Sequence, residues 1–240
     1  GAILGLNKFA DLHVDEFLPG AKSAAESKKL TAKRSEEDPK IQKSEESQVS
    51  QQPRPTAINW EYNAQQQNFY LPPVGRQDTN NLCLSDSFAF ALQTVVTAKH
   101  AITNNLTSPV IVSSQYFLDC NSIGGCTPYY EWSELYRMVV NVNLPLVNQY
   151  PGAETGVRSS CKNSSLSSVQ QQFNRPYIVD RAPIPSADTY FEDEVVKGPI
   201  SARIRISKRL LQFYTSGVIT ESNCSSDDNI SYNVAVTGFT

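Results

Sequence analysis

The chain has 240 residues, of which 40% are hydrophobic and 19% charged, with a formal net charge of −3. That length and apolar content suffice for a large buried core, and the weakly acidic balance leaves no cationic footprint for nucleic acid. No apolar run is long enough to span a membrane, no signal peptide is apparent and no internal repeat is visible.

In chain order, residues 21–55 are rich in Lys, Glu, Ser and Gln and almost free of aromatics, which reads as a flexible linker open to proteolytic processing. Ser87 then opens an apolar helical run, Ser87-Phe88-Ala89-Phe90-Ala91-Leu92, that continues through Ile102. A serine there also reads as a plain helix N-cap, a role Asp86 could fill. Shorter helices are expected over 113–118 and 130–140. Beyond Pro176 the pattern turns strand-like: Ile200, Ala202, Ile204 and Ile206 alternate with Ser201, Arg203 and Arg205, and Val234-Ala235-Val236 adds another strand. The layout is α+β, a helical lobe followed by an antiparallel, barrel-like sheet with a cleft between them. Two histidines are present, His13 and His100. Thirteen helical residues separate His100 from Ser87, about 20 Å along the axis, which is beyond hydrogen-bond reach.

Several short motifs occur in one shared order. They are Gly5-Leu6-Asn7-Lys8-Phe9-Ala10-Asp11 with Glu16-Phe17, Ile58-Asn59-Trp60, and Gln77 upstream of Ser87-Phe88-Ala89-Phe90. Ser114-Gln115-Tyr116-Phe117-Leu118-Asp119-Cys120 with Gly125-Cys126, Gly198-Pro199-Ile200-Ser201, and Phe213-Tyr214-Thr215-Ser216-Gly217-Val218 follow. Together they resemble the papain family of cysteine peptidases, from the Gly-x-Asn-x-Phe-x-Asp motif of its inhibitory propeptide through most of its mature domain. Residues 188–197 resemble the short helix before Gly-Pro. The resemblance implies a papain-like two-lobe fold. It divides the chain into a propeptide remnant at 1–20, the linker at 21–55, a helical lobe at 56–175 and a partial β lobe at 176–240. It further implies that the chain opens inside a longer precursor and stops at Thr240 before the family's orienting asparagine and tryptophan, leaving the last strands of the β lobe missing.

By the same resemblance Ser87 stands at the nucleophile position, where the family has the thiol of Cys-Trp-Ala-Phe, and Gln77 stands at the oxyanion-hole position. The strand Tyr232-Asn233-Val234-Ala235-Val236-Thr237-Gly238-Phe239 resembles His-Ala-Val-x-x-Val-Gly-Tyr, which sets Tyr232 at the histidine position. A phenol with an ordinary pKa of about 10 stays protonated at neutral pH and does not readily activate a hydroxyl. Cys83 is an alternative nucleophile, six residues after Gln77 as in the family. A four-residue slip turns a helix by about 400°, so periodicity does not separate the two registers. The Ser87 register recovers Phe-Ala-Phe and the later His-Ala-Ile, and leaves Cys83 free for a bridge. The family's Gly-Cys-x-Gly-Gly wall reads here as Gly125-Cys126-Thr127-Pro128-Tyr129, where proline removes a donor and tyrosine adds bulk against an extended peptide.

The resemblance also pairs Cys83 with Cys126 and Cys120 with Cys161, leaving Cys224 as the odd thiol; free buried thiols in a cytosolic chain are the alternative. Bridges of this kind belong to an oxidising compartment. Sequons at Asn105, Asn163, Asn223 and Asn229 fit a secreted or lysosomal/endosomal route. The expectation is a catalytically inactive papain-like homologue, monomeric, with no cofactor or metal, retained as a scaffold that binds a peptide or protein ligand in the inter-lobe cleft. The competing expectation is an active peptidase, a thiol enzyme using Cys83 or a serine variant using Ser87.

Overall fold

The fold is described from a computed structural model over residues 2–4, 55–63, 68–74, 87–120, 138–139, 143–151, 159–162, 168–170, 187–220 and 229–240. Its central element is helix α1, Ser87–Thr103. The segment contains neither Gly nor Pro and carries four alanines, so propensity favours the helix along its whole length. Phe88, Ala89, Val96, Ala98 and Ala101 are all at most 1% exposed, and they fall on more than one face. α1 is therefore a core helix enclosed by other elements, rather than a surface helix with one apolar stripe.

On one side α1 packs against α2, Ser114–Asp119, around Phe88, Leu92, Val96, Phe117, Leu118 and Leu144. Complete burial of a Phe or Leu side chain stabilises by about 1.5–3 kcal/mol, so Phe88, Phe117 and Leu144 anchor this lobe. Ser113 caps α2, its hydroxyl accepting from the Tyr116 N–H at 3.2 Å. The expected helix over 113–118 is thus present, shifted by one residue because Ser113 is its cap. Two side chains of α1 hold the chain before α2: Gln93 Nε2 donates to the Val112 carbonyl, and Thr97 Oγ1 accepts from the Val112 N–H. Val112 also bridges to Leu146, just after strand β5, Asn143–Pro145, which pairs antiparallel with β6, Ser168–Gln170. Of the helix expected over 130–140, residues 138–139 form a turn and the remainder lies outside the described residues.

The other side of α1 meets the second lobe. Helix α3, Ala187–Val196, leads through Gly198 into strand β7, Ile200–Ser207. Gly198 has φ +145°, which L side chains rarely adopt, so glycine is required to turn the chain there. β7 pairs antiparallel with β9, Asn229–Val236, over eight residues from Ile200↔Val236 to Ser207↔Asn229. Of the alternating apolar residues of β7, Ala202 and Ile206 are buried whereas Ile204 is 36% exposed, opposite a half-buried Tyr232. Helix α4, Lys208–Phe213, starts at the Ser207 cap and runs into β8, Tyr214–Gly217. β8 pairs antiparallel with β1, Ala2–Leu4. Among the described residues these antiparallel ladders do not close into a barrel.

A tryptophan ties the segment after the polar stretch to both lobes. β2, Ile58–Asn59, pairs with β10, Gly238–Phe239; immediately after β2, the Trp60 N–H donates to the Thr237 carbonyl and its Nε1–H to the Val195 carbonyl at 2.6 Å. Its ring meets Tyr70 edge-on at 5.8 Å beside Ala98 and Ala101 of α1. At Gly238, in the β10–β2 pair, any Cβ would overlap the Ile58 carbonyl, so this close approach needs glycine. β3, Tyr62–Asn63, and β4, Asn68–Phe69, form a hairpin next to it.

Candidate active site

Ser87 is the first residue of α1 and is 4% exposed. Its Oγ accepts a hydrogen bond at 3.1 Å from the backbone N–H of Asn233, in the middle of β9. Among the described residues, the hydroxyl's donor comes from the other lobe, 146 residues away, rather than from its own helix. The contact also fixes the local ladder. An N–H directed at Ser87 is turned away from β7, so Asn233 and its register partner Arg203 form a non-hydrogen-bonded pair, in which cross-strand side chains lie closest.

Tyr232 and Asn233 are consecutive on a strand, so their side chains leave on opposite faces. Tyr232 shares its face with Ile204, and Asn233 shares its face with Arg203 and Ser201. The structure thus brings Ser87 to the Tyr232–Asn233 step of β9. Ser87 hydrogen-bonds to the strand's backbone, and among the described residues it makes no hydrogen bond to a titratable side chain. Asn233 Oδ1 and Ser201 Oγ are buried without a partner among the described residues.

His100 sits near the far end of α1. Its Nδ1 is buried and unpartnered among the described residues, and burial pushes its pKa below the ordinary 6.5. It is a neutral, half-buried ring, remote from Ser87. His13, Gln77, Cys83, Cys126, Cys224 and the wall residues Pro128 and Tyr129 lie outside the described residues. Cys120 and Cys161 are joined, with S–S 2.08 Å and Cα–Cα 4.7 Å. Among the described residues no group of acidic, His and Cys side chains could hold a metal ion, and no helix is long and apolar enough to cross a membrane.

Beside that bridge lies a polar centre that motif reading did not reveal. Asp119 is 3% exposed and its carboxylate accepts four hydrogen bonds: from Gln115 Nε2 at 2.8 Å, Tyr150 OH at 2.9 Å, and Ser159 N and Oγ at 2.6 and 2.7 Å. The Tyr150 hydroxyl in turn accepts from the Lys162 N–H, and the Tyr150 carbonyl accepts from Ser113 Oγ. Burial is the main cause raising the Tyr150 pKa, so the phenol stays protonated and serves as donor to the carboxylate. A buried carboxylate is tolerated only when its lone pairs are filled, and here they are. The available signal was an aspartate directly before a cysteine at the end of a short helix. It fastens Ser159 and, through Tyr150, Lys162 onto α2.

The family model described as papain family cysteine protease matches residues 54–240. No curated protein sequence matches the chain. Among solved structures, the proform of the ragweed pollen allergen Amb a 11 cysteine protease aligns with TM-score 0.66 at 20% identity, covering 99% of this chain and 65% of that one. A recombinant stem bromelain precursor aligns with TM-score 0.63 at 20% identity, with 99% and 67% coverage. Digestive procathepsin L 3 of the Tenebrio molitor larval midgut aligns with TM-score 0.63 at 19% identity, again covering 99% and 67%. The chain therefore spans about two thirds of the length of these proenzymes, and at such identities the likeness shows the fold, which is papain-like.

Proposed function

This chain belongs to the papain family of cysteine proteases, and from that premise we propose that it is a non-catalytic member, a scaffold that binds a peptide or protein segment in the cleft beside Ser87. The observation that carries the reading is the state of Ser87: a hydroxyl, 4% exposed, engaged by the Asn233 N–H and joined to no titratable side chain among the described residues. Hydrolysis by a serine requires a base that removes its proton and later protonates the leaving amine. Tyr232, at the histidine position of the motif, carries a phenol ill-suited to that task near neutral pH. Where the serine or the histidine of such a unit is lost, turnover in a well-studied serine peptidase falls by about six orders of magnitude.

The reading extends to the rest of the chain. The antiparallel pairing of β1, Ala2–Leu4, with β8 supports a propeptide-like role for residues 1–20. The Cys120–Cys161 bridge supports passage through an oxidising, secretory or lysosomal compartment. Purified protein, with and without residues 1–55, is to be assayed with fluorogenic peptides and with an epoxide or vinyl-sulfone thiol probe. The expected result is no turnover and no active-site labelling in either form. Turnover accompanied by labelling of Cys83 overturns the reading in favour of a thiol enzyme, and turnover abolished by Ser87→Ala overturns it in favour of a serine one.

A further inference from the structure

Just past the C-terminal end of α1 lies a sequon, Asn105-Leu106-Thr107. After Thr103 the helix closes with the Leu106 N–H donating to the Ala101 carbonyl and the Asn105 N–H to the Ile102 carbonyl, the paired bonds of a Schellman turn. Such a turn needs one residue in the left-handed region, and Asn105 supplies it at φ +50°. Leu106 folds back onto the Tyr70, Ala98 and Ala101 cluster, which leaves Asn105 and Thr107 exposed on either side of it. The two asparagines of the turn differ in one respect. Asn104 Nδ2 is bonded to the His100 carbonyl at 2.8 Å, whereas the Asn105 carboxamide makes no hydrogen bond among the described residues. By contrast, Asn229 lies within the β9 ladder opposite Ser207, and Asn163 and Asn223 lie outside the described residues.

The geometry points to Asn105 as an N-glycosylation site, an inference that rests on the secretory route proposed above. In the transfer, Asn105 Nδ2 forms a bond to the anomeric carbon of a lipid-pyrophosphate-linked oligosaccharide. The bond from that carbon to the pyrophosphate oxygen breaks, the lipid pyrophosphate departs with the bonding electrons, and one amide proton is lost to a base. No oxidant or reductant is required. The sugar leaves the protein two residues beyond the far end of α1 from Ser87, past sixteen helical rises of ~1.5 Å, or about 24 Å, so it does not obstruct the cleft beside that residue.

The test is translation of the chain with an appended secretory leader in the presence of microsomes, alongside the natural precursor. Protease-protected product is then treated with peptide N-glycosidase in ¹⁸O water and mapped by mass. Asn105 is expected as ¹⁸O-aspartate. Thr107→Ala and Asn105→Gln are expected to lose one discrete glycan step on a gel, and Thr107→Ser to retain it. Unmodified Asn105 in protected, leader-bearing chain overturns the site. Modification in the leader-bearing chain but not in the natural precursor upholds the site and overturns the secretory reading on which its use depends.

Discussion

The Asn233 backbone N–H donates to Ser87 Oγ at 3.1 Å, a hydrogen bond that joins the first residue of the central helix to the middle of the eight-residue β7–β9 ladder. Both lobes converge on it. Removing the hydroxyl leaves a part-buried N–H without its acceptor, which costs about 1–3 kcal/mol. Ser87→Ala is therefore expected to lower the unfolding free energy measured in urea by about that amount, and Ser87→Thr, which keeps the acceptor, to cost less. A Ser87→Ala protein as stable as its parent would show that the bond contributes nothing to holding the lobes together.

A steeper loss is expected at Asp119, which accepts four hydrogen bonds inside the helical lobe. A hydrogen bond to a charged group contributes about 1.5–3 kcal/mol, so Tyr150→Phe should cost within that range. Asp119→Ala should cost more than Tyr150→Phe, because it strands Gln115, Tyr150 and Ser159 together. Paired denaturation curves settle the order. If Tyr150→Phe proves the worse variant, the hydroxyl's bond from the Lys162 N–H, not its bond to the carboxylate, holds this centre.

His100 predicts a pH dependence with a definite sign. Burial holds its folded-state pKa below the ordinary value of 6.5, so between these two values the unfolded chain binds more protons than the folded one. The contribution is fully present above pH 6.5 and is lost as pH falls through the lower folded value. Thermal midpoints measured at pH 7 and pH 5 should fall, and His100→Gln should flatten that fall while leaving the carboxylate-driven loss near pH 4 in place. An unchanged slope in His100→Gln would assign the acid sensitivity to other groups.

The elements legible in the sequence were those with a period. The apolar run after Ser87 gave α1, and alternation over 199–206 gave β7, each within a residue or two of its end. What stayed hidden was carried by groups without a sequence signature. A backbone donor at Asn233 looks the same in any strand. The partners of Asp119 come from Gln115, Tyr150 and Ser159, up to 40 residues distant, and none belongs to the short motif around it beyond Gln115. The exposure of Ile204 breaks its own alternation, because burial on a strand face depends on what covers that face, which the strand's sequence does not record. The pairing of β1 with β8 joins segments far apart in the chain through a backbone ladder, which carries no side-chain signature.

Restoring peptidase chemistry is expected to take more than one substitution. Ser87→Cys supplies a better nucleophile, but an isolated thiol has a pKa near 8.5, so only a few per cent is thiolate at neutral pH. Tyr232→His adds an imidazole beside the Asn233 step that Ser87 contacts, and so offers the thiol an ion-pair partner. Each single variant should be inert toward fluorogenic peptides. The double variant should gain thiol reactivity first, seen as alkylation by iodoacetamide that persists at pH 6, where a thiol without a partner is almost wholly protonated. Rapid alkylation at pH 6 by Ser87→Cys alone would reveal a base near Ser87 other than residue 232, and peptide turnover by that single variant would return the protein to the enzymes.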